Sequence, residues 1–230
     1  MQLIPMLSND QITQAIGQVD RLFDLWEQRH FELPFFTLGA ASYLDSSKIS
    51  NVRYYRKAAR LNPFLKSEFD WLYSRLIDTL EQATGYACAL ADGQALPGFH
   101  IFKSHRQFLE PVASRHIDLQ YQGLEWENPE SIDFEHQTLS FTLALELPTS
   151  GAGLNTWPQD KEAWNQIPVL SDRLPWHGNN ENGQYVAYQP GYLAVHSGNL
   201  LHQIAPIKTF QPDDRRITLQ GHGVLKNSSQ

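Results

Sequence analysis

The sequence predicts a mainly β fold supported by helices, an α+β arrangement or a helix-backed sandwich rather than a doubly wound sheet. Three observations predict it. The first third carries two apolar stripes at helical spacing. The remainder breaks into short stretches of period-2 alternation punctuated by Gly, Pro and Asn. The two patterns are segregated along the chain instead of interleaved as βαβ units. With 230 residues the chain can build one sizeable core, so a single domain is expected, mainly helical over 1–90 and mainly β over 91–226.

The helical part opens at Ser8-Asn9-Asp10-Gln11, where a hydroxyl followed three positions later by Gln makes a capping box. Ile12, Ile16, Val19, Phe23 and Trp26 follow as one stripe. A short extended segment is expected at Phe35-Phe36-Thr37-Leu38-Gly39. A second helix is expected to start at Asn62-Pro63, to bury Phe69, Leu72, Leu76 and Leu80, and to stop at Gly85. Strands are then expected over 99–102, 115–121, 138–147, 153–157, 184–188, 193–196, 201–207 and 216–224, with a frayed tail at 226–230. The clearest is 138–147, where Leu139, Phe141, Leu143, Leu145 and Leu147 alternate with small or polar residues. Over 216–224, Arg216, Thr218, Gln220 and His222 share one face, and Ile217 and Leu219 share the other. Either the polar face meets water, or the apolar face lies beneath the helices and the polar face lines a ligand cavity. The second reading uses both helical stripes.

Net charge −7 and an isoelectric point near 5.7, with no basic stripe, exclude a primary role in gripping nucleic acid. Cys88 is the sole cysteine, so no intramolecular disulfide forms, and a reducing cytosol is the simplest compartment. No apolar stretch approaches spanning length and the start lacks a signal-peptide pattern, so a cytoplasmic protein with no membrane partner is expected.

The chemistry concentrates in three stretches of the second half: His116-Ile117-Asp118, then His202, then Arg216-Ile217-Thr218. A His and an Asp two positions apart on an extended chain point to the same side. With a distant His they offer two imidazoles and one carboxylate to one face of a metal, a pattern suited to Fe(II). Arg216, 14 positions after His202, can form a bidentate pair with a carboxylate cosubstrate. Each member alone has a plain reading: a surface His with its Asp, a core imidazole, or an Arg paired with Asp213 or Asp214. The ordered combination is the specific signal.

These stretches, together with Gly191-Tyr192-Leu193-Ala194-Val195-His196-Ser197-Gly198, resemble the Fe(II)/2-oxoglutarate-dependent dioxygenase superfamily over residues 96–224. The resemblance implies a double-stranded β-helix, a cupin-like jelly roll of eight strands with N-terminal α-helices supporting one sheet. It implies iron on His116, Asp118 and His202. It also implies 2-oxoglutarate with its distal carboxylate on Arg216 and a hydrogen bond from Thr218. In the family, 2-oxoglutarate and O2 take the three remaining iron positions, and turnover releases succinate and carbon dioxide while a substrate is oxidised. Related halogenases lack the carboxylate ligand, so Asp118 points to hydroxylation rather than halogenation, with desaturation, ring formation and oxidative demethylation open to the same ligands. His196 competes for the third ligand position. His202 is preferred because it begins a fresh apolar strand after Ser197-Gly198-Asn199 and has Arg216 downstream at family spacing.

His100, His105, Arg106, Asn155 and Trp157 are the candidate substrate contacts, and His222 a candidate for the cavity floor. His136 and His177 fall in expected loops. The segment 157–183, with Trp157, Trp164 and Trp176 and a glycine- and asparagine-rich exit, is expected to cap the site. An aromatic patch joining a homodimer is the alternative. The expected substrate is a small molecule or an amino-acid or peptide side chain. Two rival readings are a metal cupin enzyme without 2-oxoglutarate and a non-catalytic ligand-binding jelly roll; bound metal and cosubstrate turnover separate the three.

Overall fold

The computed structural model describes residues 1–47, 49–111, 113–118, 120–126, 132, 137–157 and 183–225. Residues 158–182 of the expected cap, including Trp164, Trp176 and His177, lie outside the described residues, as do His136 and the tail 226–230. The elements in chain order are β1 (Gln2–Pro5), α1 (Asn9–Arg21), β2 (Glu27–Gln28), β3 (Phe35–Leu38), α2 (Ser42–Asp45) and α3 (Val52–Thr84). There follow β4 (Gly98–Lys103), β5 (Thr138–Glu146), β6 (Leu154–Trp157), β7 (Gln184–Val186), β8 (Tyr192–Ser197), β9 (Leu201–Ile204) and β10 (Arg215–Val224). No helix among the described residues is long and apolar enough to cross a membrane.

Two antiparallel sheets face each other. The larger has the order β1-β8-β5-β10-β4-β3-β2 and the smaller β7-β6-β9. His116 extends the smaller sheet by pairing with His202 of β9, through N–H to carbonyl bonds of 2.9 Å in both directions. After β4 the chain therefore alternates between sheets: His116 in the small one, β5 in the large, β6 and β7 in the small, β8 in the large, β9 in the small, β10 in the large. That winding is the double-stranded β-helix, a jelly roll closed between two sheets.

The period-2 pattern of β5 decides its orientation. Leu139, Phe141, Leu143 and Leu145 turn to one face and join Ile217 and Leu219 of β10 in the main core. Leu65, Phe69, Leu72 and Leu76 of α3, with Ala15 and Val19 of α1, cover that face. Fully burying one such side chain contributes roughly 1.5–3 kcal/mol, so this layer is the chief source of stability. The helices thus sit on one side of the large sheet, and the polar faces of β5 and β10 turn toward the small sheet.

Local signals hold in α1. Ser8 Oγ accepts from the Gln11 N–H, and Gln11 Oε1 accepts from the Ser8 N–H, which completes the capping box. The stripe ends sooner than expected. The helix stops at Arg21, Phe23 is exposed, and Trp26 lies beyond the helix, where its indole N–H donates to the Val19 carbonyl at 3.1 Å.

The second helix departs further from expectation. It begins at Val52, so Pro63 lies inside it rather than at its start, and Phe69 leaves helical geometry with φ −121° and ψ 18°. Proline removes one backbone donor at a cost of about 3 kcal/mol. Burial of Tyr54, Ala58, Leu61 and Leu65 on both sides of it outweighs that loss. Asn62 is no cap either; its side chain bridges the Gln94 carbonyl and the Leu96 N–H and pins the approach to β4. Gly85 does end the helix, left-handed at φ 75°.

Among the described residues of 115–121 the expected strand does not form. Only His116 pairs; Asp118 sits in a bend with its N–H on the Gly198 carbonyl, and the chain turns into a short 3-10 helix at Gln120–Gly123. The strands expected over 184–188 and 201–207 end early, at Val186 and Ile204. Strands β1 and β2, edge additions to the large sheet, carry no alternation that would have announced them.

Candidate metal centre

Asp118 lies between two imidazoles. Its Oδ1 is 3.7 Å from His116 Nε2 and its Oδ2 is 3.6 Å from His202 Nε2. One donor atom from each of the three lies within 4.8 Å of the other two. The expected ligand set is therefore one spatial group, although Asp118 reaches it from a bend rather than from a regular strand.

The donors fit a divalent metal. His116 Nδ1 donates to the Ser114 carbonyl at 2.8 Å, and His202 Nδ1 to the Leu200 carbonyl at 2.7 Å. Those bonds fix the tautomer, so both Nε2 lone pairs face Asp118. Burial lowers the His202 pKa to about 4 against the attraction of Asp118, and the ring is neutral at pH 7. Burial alone would raise Asp118. The imidazoles of His222, His202, His116 and His196 outweigh it and hold the carboxyl well below the usual carboxylate range. Two imidazoles and one carboxylate on one side of a point leave the opposite side open, the facial donor set that suits Fe(II).

Strand β10 carries the rest of the interior. Its polar face runs from Arg216 through Thr218 and Gln220 to His222, whose Nδ1 is 3.9 Å from Asp118 Oδ2 and 3.1 Å from Ser140 Oγ. At the other end Arg216 is 3% exposed. Its Nε donates to the Ala152 carbonyl at 3.1 Å, its Nη1 to Thr218 Oγ1 at 3.2 Å, and Phe102 and Tyr188 flank the guanidinium. No carboxylate pairs with Arg216 among the described residues, whereas the adjacent Arg215 is held by Asp20 and Glu146. Burial lowers the Arg216 pKa, partly offset by Tyr188 and Tyr43.

The backbone bends to serve this arginine. Gly151 and Ala152 both lie in the left-handed region, at φ 79° and 55°. A side chain at Gly151 would meet the Pro206 carbonyl at 2.4 Å. Ala152 is the one non-glycine residue with positive φ among the described residues. Such a conformation costs on the order of 1–3 kcal/mol, and here it turns the Ala152 carbonyl onto Arg216.

The other candidates divide. His100 is fully buried on β4 beside Thr218, edge-on to Phe35 and Tyr43, and burial with the nearby Arg216 and Arg29 charges lowers its pKa to about 3. His196 packs 5.0 Å from the His202 ring, with Nδ1 on the Ser197 carbonyl, and stands beside the triad rather than in it. His105 and Arg106 are engaged elsewhere: His105 Nδ1 caps a 3-10 turn at the Gln107 N–H, and Arg106 stacks on Phe210. Asn155 and Trp157 do not face the pocket. The pairing Thr156↔His202 puts Leu154 and Thr156 on the inward face, so Asn155 and Trp157 turn outward, where Arg115 lies 4.2 Å from the Trp157 ring. Sequence reasoning passed over Tyr188, Tyr43, Ser140 and the Gly151-Ala152 turn. Only the adjacent glycines of Gly151-Ala152-Gly153 could have flagged any of these, as a turn.

The sequence matches no family model and no curated protein sequence. Solved structures do share the fold. The non-heme alpha ketoglutarate dependent epimerase SnoN from nogalamycin biosynthesis is 11% identical with TM-score 0.55, over 96% of this chain and 75% of that one. Its complex with Fe3+, alpha ketoglutarate and nogalamycin RO aligns at 11% identity with TM-score 0.52, over 99% of this chain and 81% of that one. An N-substituted L-amino acid dioxygenase from Burkholderia ambifaria is 14% identical with TM-score 0.51, covering 96% and 81% of the two chains. A 2OG-Fe(II) oxygenase family oxidoreductase from Burkholderia pseudomallei is 12% identical with TM-score 0.52, covering 98% and 85%. At such identities the likeness establishes the double-stranded β-helix fold.

Proposed function

We propose that the chain is a non-haem Fe(II)/2-oxoglutarate-dependent oxygenase that hydroxylates a small molecule or an amino-acid or peptide side chain. The observation that carries the reading is Arg216, a buried cation without a carboxylate partner among the described residues, on the same interior strip that brings His222 to Asp118. A buried charge left unpaired is costly by several kcal/mol, so an anionic ligand belongs beside it. The fold shared with the alpha ketoglutarate dependent epimerase SnoN supports the same reading.

In this proposal His116, Asp118 and His202 hold the iron, and Arg216 holds the distal carboxylate of 2-oxoglutarate. The metal and cosubstrate, when bound with O2, supply an oxidative decarboxylation to succinate and carbon dioxide coupled to oxidation of the substrate. The protein supplies position. The Ser114 and Leu200 carbonyls stop the two imidazoles from turning. Thr218 Oγ1 accepts from both Arg216 Nη1 and Gln220 Nε2, so its own hydroxyl proton is left to donate to the carboxylate. The Phe102 and Tyr188 rings exclude water around the pair and thereby strengthen it.

Succinate release from 2-oxoglutarate with added Fe(II), compared between wild type and Arg216→Lys, tests this. Lysine keeps the charge and loses the fork. Loss of one charge-assisted hydrogen bond is worth about 1.5–3 kcal/mol, so the KM for 2-oxoglutarate should rise by roughly tenfold or more. An unchanged KM would remove the cosubstrate role and favour a metal cupin enzyme.

A further inference from the structure

The interior of the barrel continues into a chamber that the metal chemistry does not explain. Strand β4 begins at Gly98, opposite Gln220, while β10 runs on to Val224 paired only with β5. The last residues of β10 therefore form an open edge, and the segment leading into β4 passes around it. A cavity of about 680 Å³ runs through this gap. At its barrel end stand Tyr43, His100, Gln220 and His222. At its far end, on the helix side of the sheet, stand Leu76, Leu80, Cys88 and Leu90. Gly221 lets the Phe141 ring, another lining residue, lie against the strand: a Cβ at Gly221 would meet that ring at 2.4 Å. Interiors normally pack to crystal-like density, whereas cavities of roughly 300–1,000 Å³ are typical of small-molecule sites.

The charge of the lining narrows the occupant. Asp92 and Glu125 contribute to it, and no Lys or Arg does among the described residues. An anionic tail or a phosphate would lose its hydration there without gaining a counter-charge. We infer that this chamber holds the apolar body of a neutral or cationic small-molecule substrate, whose reacting end lies at the His222 side, next to the metal centre. The inference rests on the oxygenase reading for its chemistry and on the cavity alone for its shape.

Binding of Nile red, a neutral apolar dye, to metal-free protein tests the chamber without invoking turnover. One dye per chain is expected, with 8-anilinonaphthalene-1-sulfonate, an anionic dye, binding at least about tenfold more weakly. Leu80→Trp and, separately, Cys88→Trp fill the far end and should each weaken Nile red by about tenfold or more; Cys88→Trp, at a half-buried site, covers the case in which Leu80→Trp does not fold. Bound Nile red should also slow modification of Cys88 by N-ethylmaleimide. Failure of Nile red to bind, equal affinity for the sulfonate, equal affinity in a folded filled variant, or unaltered Cys88 labelling each overturns the inference. Absence of succinate release from 2-oxoglutarate in the wild type would instead count against the oxygenase reading, and these dye measurements on metal-free protein would be untouched by it.

Discussion

Asp118 shows how single residues make the site. Its position two after His116 was legible because a His-x-Asp step puts both side chains on one side of an extended chain. What was not legible is how many imidazoles surround it: His196 and His222 join His116 and His202 only through strand register, with Ser140 opposite both His196 and His222. The same burial governs acid stability, and His100 is the clearest case. It protonates near its ordinary 6.5 in the unfolded chain and at about 3 in the folded one. Between those values the unfolded state binds the extra proton, so stability is retained above pH 6.5 and falls as pH drops, by up to about 1.4 kcal/mol per pH unit. Urea unfolding from pH 7 to pH 4 should therefore give a shallower acid-side loss for His100→Gln than for wild type. Parallel profiles would show that His100 is not held neutral by the fold.

At the level of elements, the patterns that depend on local chemistry could be read and those set by neighbours could not. The capping box of α1 and the alternation of β5 involve residues three or two positions apart, and both appear where expected. The start of α3 depends instead on what packs against it. Tyr54 and Ala58 are buried upstream of Pro63, with Leu124 among their neighbours, and this carries the helix through a residue that usually opens one. A charge network fixes the element before it. Asp45 of α2, with no side-chain exposure, pairs with Arg29 at 2.7 Å and Lys57 at 3.3 Å. It also accepts the Ala41 N–H at 2.9 Å. Glu27 of β2 completes the network through Lys57 and Arg29. The turn held this way presents Tyr43 to His100. Asp45→Asn leaves two buried cations short of a partner and should cost about 3–5 kcal/mol in urea unfolding. A cost below about 0.5 kcal/mol would show that the network contributes no net stability.

On the scale of the whole molecule, function depends on the two-sheet winding. His116 and Asp118 lie before β5, His202 on β9 and Arg216 on β10, and only the alternation between sheets gathers them around one interior. The segregation of helical and strand patterns pointed to a helix-backed β fold. The winding itself follows from pairings as distant as His116 with His202, which no local pattern encodes. Anaerobic titration calorimetry of Fe(II) into wild type and Asp118→Ala tests whether this interior is a mononuclear iron site. One site per chain is expected in wild type and at least a tenfold weaker one in the variant, since removing one of three donors forfeits more than about 1.4 kcal/mol. Equal affinity in the two proteins, or no binding in wild type, would contradict it.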